Sequence, residues 1–104
     1  MTPTVVSVVY PMGVKFDMDY YLSHHMPLVQ AKWAPFGLKS WKVAQYADEK
    51  SPYSVIAWLE FEGSENWAKA STSEVAKEIF GDIANFTDGE PSTLIGSVLK
   101  SETW

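Results

Sequence analysis

The sequence comprises 104 residues, which is the length of one small domain. Hydrophobic residues make up 46% of it and aromatic residues 14%, so either the core is dense or a partner covers part of the apolar surface. The net charge of −5 argues against a nucleic acid partner, which requires basic surface, and the lack of cysteine excludes a disulfide framework, a thiolate nucleophile and a zinc–thiolate site.

The sequence carries no targeting or membrane signal. No Lys/Arg cluster predicts a membrane surface, and no basic segment followed by an apolar run predicts a signal peptide. No apolar stretch approaches the ~20 residues that span a bilayer. We therefore expect a soluble cytoplasmic protein with neither a nucleic acid nor a membrane partner.

The hydrophobic pattern predicts four strands and two helices in one domain, 1–104. Segments rich in β-branched and aromatic residues between turn residues are typical of strands, and apolar residues at three- and four-residue spacing are typical of helices. The predicted elements are strand Thr4–Tyr10, helix Asp17–Trp33, strand Leu38–Tyr46, strand Tyr53–Glu62, helix Ser64–Phe86 and strand Thr93–Leu99.

The second predicted helix has Ser64 as its candidate N-cap. The pattern Ser71-x-x-Glu74 has the form of a capping box, so we expect the helix to be interrupted between Ser71 and Ser73. Helical spacing also predicts an apolar stripe that faces the sheet. Its members are Val75, Ile79, Ile83 and Phe86.

The order β-α-β-β-α-β predicts an α+β domain of the ferredoxin-like class. An α+β sandwich with different strand pairing is the alternative. Both alternating sets of side chains in Tyr53–Glu62 are largely apolar, whereas a sheet with one wet face alternates with polar residues. We therefore expect the second face to pack on another copy of the chain in a homodimer, although loops or the tail of a monomer are an alternative cover.

The first predicted helix contains the most informative polar residue, His25. At ~100° per residue, Leu22 and His25 share the apolar face while His24 lies towards its edge. An imidazole facing the core is costly unless it is hydrogen-bonded. His25 is therefore either a satisfied core residue or the polar anchor of a pocket, in which a histidine serves as general acid or base.

Three further residues each have two interpretations. Pro27 either kinks the helix and frees the Ser23 carbonyl, or lies in the first turn of a restarted helix. Tyr21, one turn before His25, is either a core aromatic or a partner of the imidazole. Asp88 is either a solvated turn residue or an acid directed at the pocket.

Several chemistries have no motif in this sequence. We find neither a Gly-rich phosphate loop nor a G-x-S-x-G elbow. His24 and His25 do not form a metal site, because adjacent residues on a helix point about 100° apart. We expect neither a metal nor a bound cofactor.

The motif F-D-x-D-Y-Y-L-x-x-H-x-P-L at Phe16–Leu28 resembles the N-terminal signature of EthD-type proteins. The segment Asn85–Asp88, ahead of Pro91 and Ile95-Gly96, is similar to the C-terminal segment of that family. The resemblance covers essentially the whole chain. It implies a dimeric α/β barrel, in which two four-stranded sheets pack face to face with the helices outside.

The same resemblance implies a function. It places His25, rather than His24, at the histidine position of the family, and Asp88 at its acidic position. The family is named for a gene set involved in degrading ethyl tert-butyl ether, and related barrels include cofactor-free monooxygenases, polyketide cyclases and fungal decarboxylases. We expect a cofactor-independent enzyme acting on a small hydrophobic or aromatic metabolite.

In that enzyme His25 moves a proton, Tyr21 assists and Asp88 orients the imidazole. The predicted substrate-binding residues are Tyr10, Leu28, Trp58 and Phe86. Two alternatives remain at this point: a non-catalytic binding or accessory protein of a degradation pathway, and a structural dimer in which His25 is a core residue.

Overall fold

The computed structural model describes residues 2–104, which form one antiparallel sheet of four strands with helices on one face. The elements in chain order are β1 (Thr4–Pro11), α1 (Met18–Tyr20), a π-helical turn (Tyr21–His25), α2 (Met26–Trp33), a 3₁₀ turn (Ala34–Phe36), β2 (Leu38–Gln45), β3 (Tyr53–Phe61), α3 (Ser64–Thr72), α4 (Glu74–Gly81), a second 3₁₀ turn (Ile83–Asn85) and β4 (Ser92–Ser97). The strand order is β2-β3-β1-β4. This is the predicted α+β ferredoxin-like fold, and the alternative strand pairing is wrong.

The pairing of β1 with β3 defines the two faces of the sheet. Val6 lies opposite Leu59 and Val8 opposite Ala57, and directly opposed residues share a face. Val6, Ala57 and Leu59 are buried, so this is the face that the helices cover. The core between sheet and helices includes large side chains from both layers, among them Trp33, Phe61 and Phe86.

The other face of the sheet is only half-buried. Ile56 and Trp58 of β3 are intermediate in exposure, although their neighbours on the strand are buried. Every residue of β4 is exposed, and Leu94, which pairs with Ser7 on this face, is 55% exposed. The two-sided apolar pattern of the strands therefore leaves an apolar face that the helices of this chain do not cover. We call this the open sheet face; its residues include Val5, Ile56, Trp58 and Leu94.

Two predicted details of the second helix are wrong. Gly63, not Ser64, is the N-cap of α3, and no side chain caps it. The break between α3 and α4 occurs as expected, but not through a capping box. The Ser71 hydroxyl donates to the carbonyl of Ala68, and Ser73 is the N-cap of α4.

The predicted apolar face of the first helix is also partly wrong, because of the π turn. The Met26 N–H donates to the carbonyl of Tyr21, five residues earlier. This wider turn puts Tyr21 and Met26 on the same buried face and leaves Leu22 45% exposed. Pro27, which lacks an N–H, lies in the first turn of α2, where that loss has the least cost.

Candidate active site

His25 is held between the first helical segment and the end of α4. Its side chain is only 5% exposed, and its Nδ1 lies 3.0 Å from Oδ2 of Asp82, whose side chain is 12% exposed. Asp82 is the residue that ends α4. The π turn, which ends at His25, turns the imidazole inward, and the end of α4 supplies the carboxylate.

Two further groups hold Asp82. The Tyr20 hydroxyl donates to Oδ1 over 2.6 Å, and the Asn85 amide donates to the same oxygen over 2.9 Å. Desolvation acts to raise the pKa of Asp82, but the hydrogen bonds from Tyr20, Asn85 and His25 outweigh it and lower that pKa. Asp82 is therefore a carboxylate at neutral pH, and it accepts hydrogen bonds only.

The protonation of His25 follows from these surroundings. Burial lowers its pKa, although the hydrogen bond and charge of Asp82 act in the opposite direction. The neutral imidazole donates its Nδ1–H to the Asp82 carboxylate, because a carboxylate has no proton to give. Nε2 therefore carries the free lone pair of the ring.

A small cavity with a wider open mouth lies between the helices and the sheet; about 50 Å³ of it is open to the centre of a water-sized sphere, and His25 is in its lining. The ring of His25 makes its hydrogen bond through Nδ1, and Nε2 has no protein partner. Because every buried polar side-chain atom within residues 2–104 has a partner, Nε2 is not fully buried. Nε2 is therefore reached from the cavity. Most of the walls are apolar, and they include Val8, Met26, Val29, Leu59, Ile79 and Trp67.

Two tyrosines lie beside the imidazole in this cavity. The ring of Tyr21 stacks on that of His25 with centroids 5.4 Å apart, and Tyr10 lies 6.0 Å from Tyr21. Burial raises the pKa of both hydroxyls well above the ordinary value. Both tyrosines therefore keep their protons and can donate hydrogen bonds to a ligand.

The arrangement of helices and sheet has counterparts among solved structures. No protein-family model matches the chain, and no curated protein sequence does. An EthD-like protein from Ralstonia eutropha shares 29% sequence identity and a TM-score of 0.86, over 99% of this chain and 97% of its own. In sequence and fold the chain resembles the EthD-like proteins.

Two more distant matches support the fold of this EthD-like chain. An EthD family protein from Bacillus halodurans is 18% identical with a TM-score of 0.70, covering 95% of this chain and 100% of its own. SnoaB, a cofactor-independent oxygenase from Streptomyces nogalater, is 9% identical with a TM-score of 0.67, covering 99% and 97%. At these identities the likeness shows the fold alone, which is that of the dimeric α/β barrels.

The acidic residue beside His25 is Asp82, six positions before the predicted Asp88. Asp88 does not contact His25: its Oδ1 accepts the backbone N–H of Lys15 over 2.9 Å in an exposed loop. Asp82 orients the imidazole instead. The chain turns away after Asn85 to pair Thr87 with Phe16, so Asp88 lies beyond the site.

The predicted substrate-binding residues divide into two groups. Tyr10 lines the cavity, as does the predicted catalytic Tyr21. Phe86 lies against His25, with ring centroids 4.6 Å apart, but outside the lining. Leu28 packs at the edge of the core, and Trp58 is on the open sheet face, so neither reaches the cavity.

Sequence reasoning missed Asp82, Tyr20 and Asn85. The spacing of Asp82 and Asn85, three residues apart at the end of a helix, gives a weak signal for a shared site, since such residues are neighbours on one surface. His24 lies outside the site, stacked on Tyr20 with centroids 4.8 Å apart. Within residues 2–104, no cluster of three or more His, Cys, Asp or Glu side chains can hold a metal ion.

No helix in the described part of the chain combines the length and the apolar character needed to cross a membrane.

Proposed function

We propose that this EthD-like chain is a homodimeric, cofactor-independent enzyme that acts on a small hydrophobic or aromatic metabolite, with His25 as its acid–base group. One observation carries the proposal: Nδ1 of His25 is held by Asp82 while Nε2 is open to an apolar cavity. A histidine that served packing alone would not need one ring nitrogen free at a cavity wall.

The chemistry that this geometry supports is proton transfer. Nε2 takes a proton from a carbon beside a carbonyl, or from a phenol, and the electron pair of the broken bond moves to the substrate oxygen. The carboxylate of Asp82 then stabilises the imidazolium through Nδ1–H. Return of that proton to another atom of the substrate completes the cycle.

The homodimer is supported by the open sheet face. Leu94 is 55% exposed there, and the tail beyond β4 carries Leu99 at 91% and Trp104 at 105% exposure. Large exposed apolar side chains on an uncovered sheet face are typical of an interaction surface. A second copy placed face to face would cover it, and this is the assembly for which the dimeric α/β barrel fold is named.

Hydrogen–deuterium exchange tests the catalytic proposal without knowledge of the natural substrate. The probe is 2-tetralone, a neutral fused-ring ketone with acidic protons beside its carbonyl, followed by NMR in D₂O. We expect the protein to accelerate exchange and the His25→Gln variant to lose about 100-fold or more of that acceleration.

The matched control is His24→Gln, which removes the adjacent, exposed imidazole and should leave exchange unchanged. Equal rates for the parent protein and His25→Gln would reject proton transfer by His25. Binding of the probe without any exchange would instead assign the cavity to a carrier or accessory protein.

A further inference from the structure

The cavity contains hydrogen-bonding groups but no cation. Its hydroxyl and imidazole groups belong to Tyr10, Tyr21, His25 and Thr93, and no Lys, Arg, Asp or Glu within residues 2–104 lines it. The eight basic residues of the chain are all lysines. A negative charge lies behind the cavity wall, on the Asp82 carboxylate 3.0 Å from Nδ1 of His25.

These charges determine which ligands the cavity can hold. A carboxylate or phosphate that leaves water needs a cationic partner, and here it would meet none and would lie near the charge of Asp82. A neutral ligand oxygen, in contrast, can accept a hydrogen bond from the paired hydroxyls of Tyr10 and Tyr21. The hydroxyls of Tyr10 and Tyr21 keep their protons and lie beside the base in one cluster.

We infer that the cavity selects an uncharged aromatic phenol or ketone, bound through its oxygen by Tyr10 and Tyr21, and rejects the corresponding carboxylate. This inference rests on the proposed function, because it names the substrate class for the same site. In the proton-transfer step His25 takes the proton, and the electron pair of the broken C–H or O–H bond stays with the substrate on the bound oxygen, so the tyrosine hydroxyls stabilise the resulting enolate or phenolate. Of the three related reaction types, the decarboxylase type is disfavoured, since its substrate is a carboxylate.

The test compares three ligands of nearly equal shape: 2-naphthol, 2-naphthoate and naphthalene. Affinities are measured at pH 7 by calorimetry or ligand-detected NMR, and shifts of the His25 imidazole signals locate the bound ligand. We expect 2-naphthol to bind at least about tenfold more tightly than 2-naphthoate, because only the latter must bury an unpaired charge.

Two variants test the donors. Tyr10→Phe and Tyr21→Phe should each weaken 2-naphthol binding about threefold to tenfold and leave naphthalene binding unchanged, since each removes one hydrogen bond and little volume. Tyr46→Phe is the matched control, because Tyr46 does not line the cavity. Equal or tighter binding of 2-naphthoate, or no binding of 2-naphthol at His25, would overturn the inference.

The two proposals fail in different ways. Exchange of 2-tetralone that depends on His25, together with a preference for 2-naphthoate, would overturn the ligand class and leave His25 as the base. Selective binding of 2-naphthol without exchange would overturn proton transfer and leave the ligand class in place.

Discussion

Nδ1 of His25 lies 3.0 Å from Oδ2 of Asp82, although 57 residues separate them along the chain. The other carboxylate oxygen of Asp82 accepts hydrogen bonds from Tyr20 and Asn85. Residues of α1 and of the second 3₁₀ turn therefore both hold the carboxylate in place. The imidazole therefore has one tautomer and one orientation before any ligand arrives. Such preorganisation is what a general base needs, because the proton-accepting nitrogen must already point at the substrate.

Asp82 acts through His25 and is a positioning residue. In Asp82→Asn the amide can donate as well as accept, so Nδ1 no longer has to carry the proton and the productive tautomer loses its advantage. We expect the His25-dependent exchange of 2-tetralone to fall by about 100-fold. The measurement is the exchange rate at pH 7.5, with folding verified by circular dichroism.

The matched control is Asp88→Asn, the same substitution at an aspartate in an exposed loop. Oδ1 of Asp88 accepts a hydrogen bond from the backbone N–H of Lys15. We expect its exchange rate to stay within about twofold of the parent protein, because it does not touch His25. If Asp88→Asn were the slower variant, Asp88 and not Asp82 would support the imidazole in solution.

The same substitution should change the titration of His25. The hydrogen bond and the charge of Asp82 both act to raise the pKa of His25 against the lowering effect of burial. Removing the charge in Asp82→Asn should therefore lower the pKa of His25 further. The pH at which the exchange rate declines on acidification should then also be lower, because His25 loses its activity as a base when it is protonated. NMR titration of the imidazole protons measures this, with His24 as the exposed reference in the same spectrum. A rise in the pKa of His25 would contradict the structure.

The stability of the fold should depend on the same histidine. Because burial lowers the pKa of His25 below its ordinary value of 6.5, the unfolded chain binds its proton more readily than the folded protein. The free energy of unfolding should therefore fall as pH decreases from about 6.5 towards the lowered pKa, with no contribution from His25 above about 6.5.

Urea unfolding between about pH 5 and pH 7.5 measures this dependence. The lowered pKa of Asp82 affects stability only below the ordinary aspartate pKa of 3.8, outside this window. We expect His25→Gln to flatten the dependence and His24→Gln to retain it. An unchanged slope in His25→Gln would show that His25 titrates alike in the folded and unfolded states.

Much of this fold is readable from the sequence, because its strands and helices have strong periodicity. The β-branched segment that contains β1 and the apolar, aromatic-rich segment that contains β3 predict both strands to within one or two residues. Helical placement also predicts that His25 faces the core and His24 its edge, which the structure confirms. Both features are local, so the sequence pattern is sufficient.

The acid of the site could not be predicted in this way. Asp82 and Asp88 are six residues apart, and either suits a turn after a helix. Which one meets His25 depends on where α4 ends and on the backbone pairing of Phe16 with Thr87, both of which are tertiary effects. Trp58 shows a different limit: its strand position puts it on the face opposite the cavity, so its aromatic character alone is a poor guide to substrate binding.

The open sheet face provides a test of the homodimer with a matched pair of substitutions. Leu94 of β4 is 55% exposed and pairs with Ser7 on that face, whereas Leu22 is 45% exposed on the helical side. A charge at Leu94 in the proposed interface would be buried without a partner, so Leu94→Glu should dissociate the dimer. Leu22→Glu introduces the same charge into solvent and should not.

Light scattering after size-exclusion chromatography gives the masses. We expect the parent protein and Leu22→Glu to have twice the chain mass of 11.7 kDa, and Leu94→Glu to move towards that single-chain mass. Dissociation should also expose Trp58, which shifts its fluorescence to longer wavelength. A parent protein that remains monomeric at all concentrations would refute the homodimer, and the open sheet face would then need another occupant.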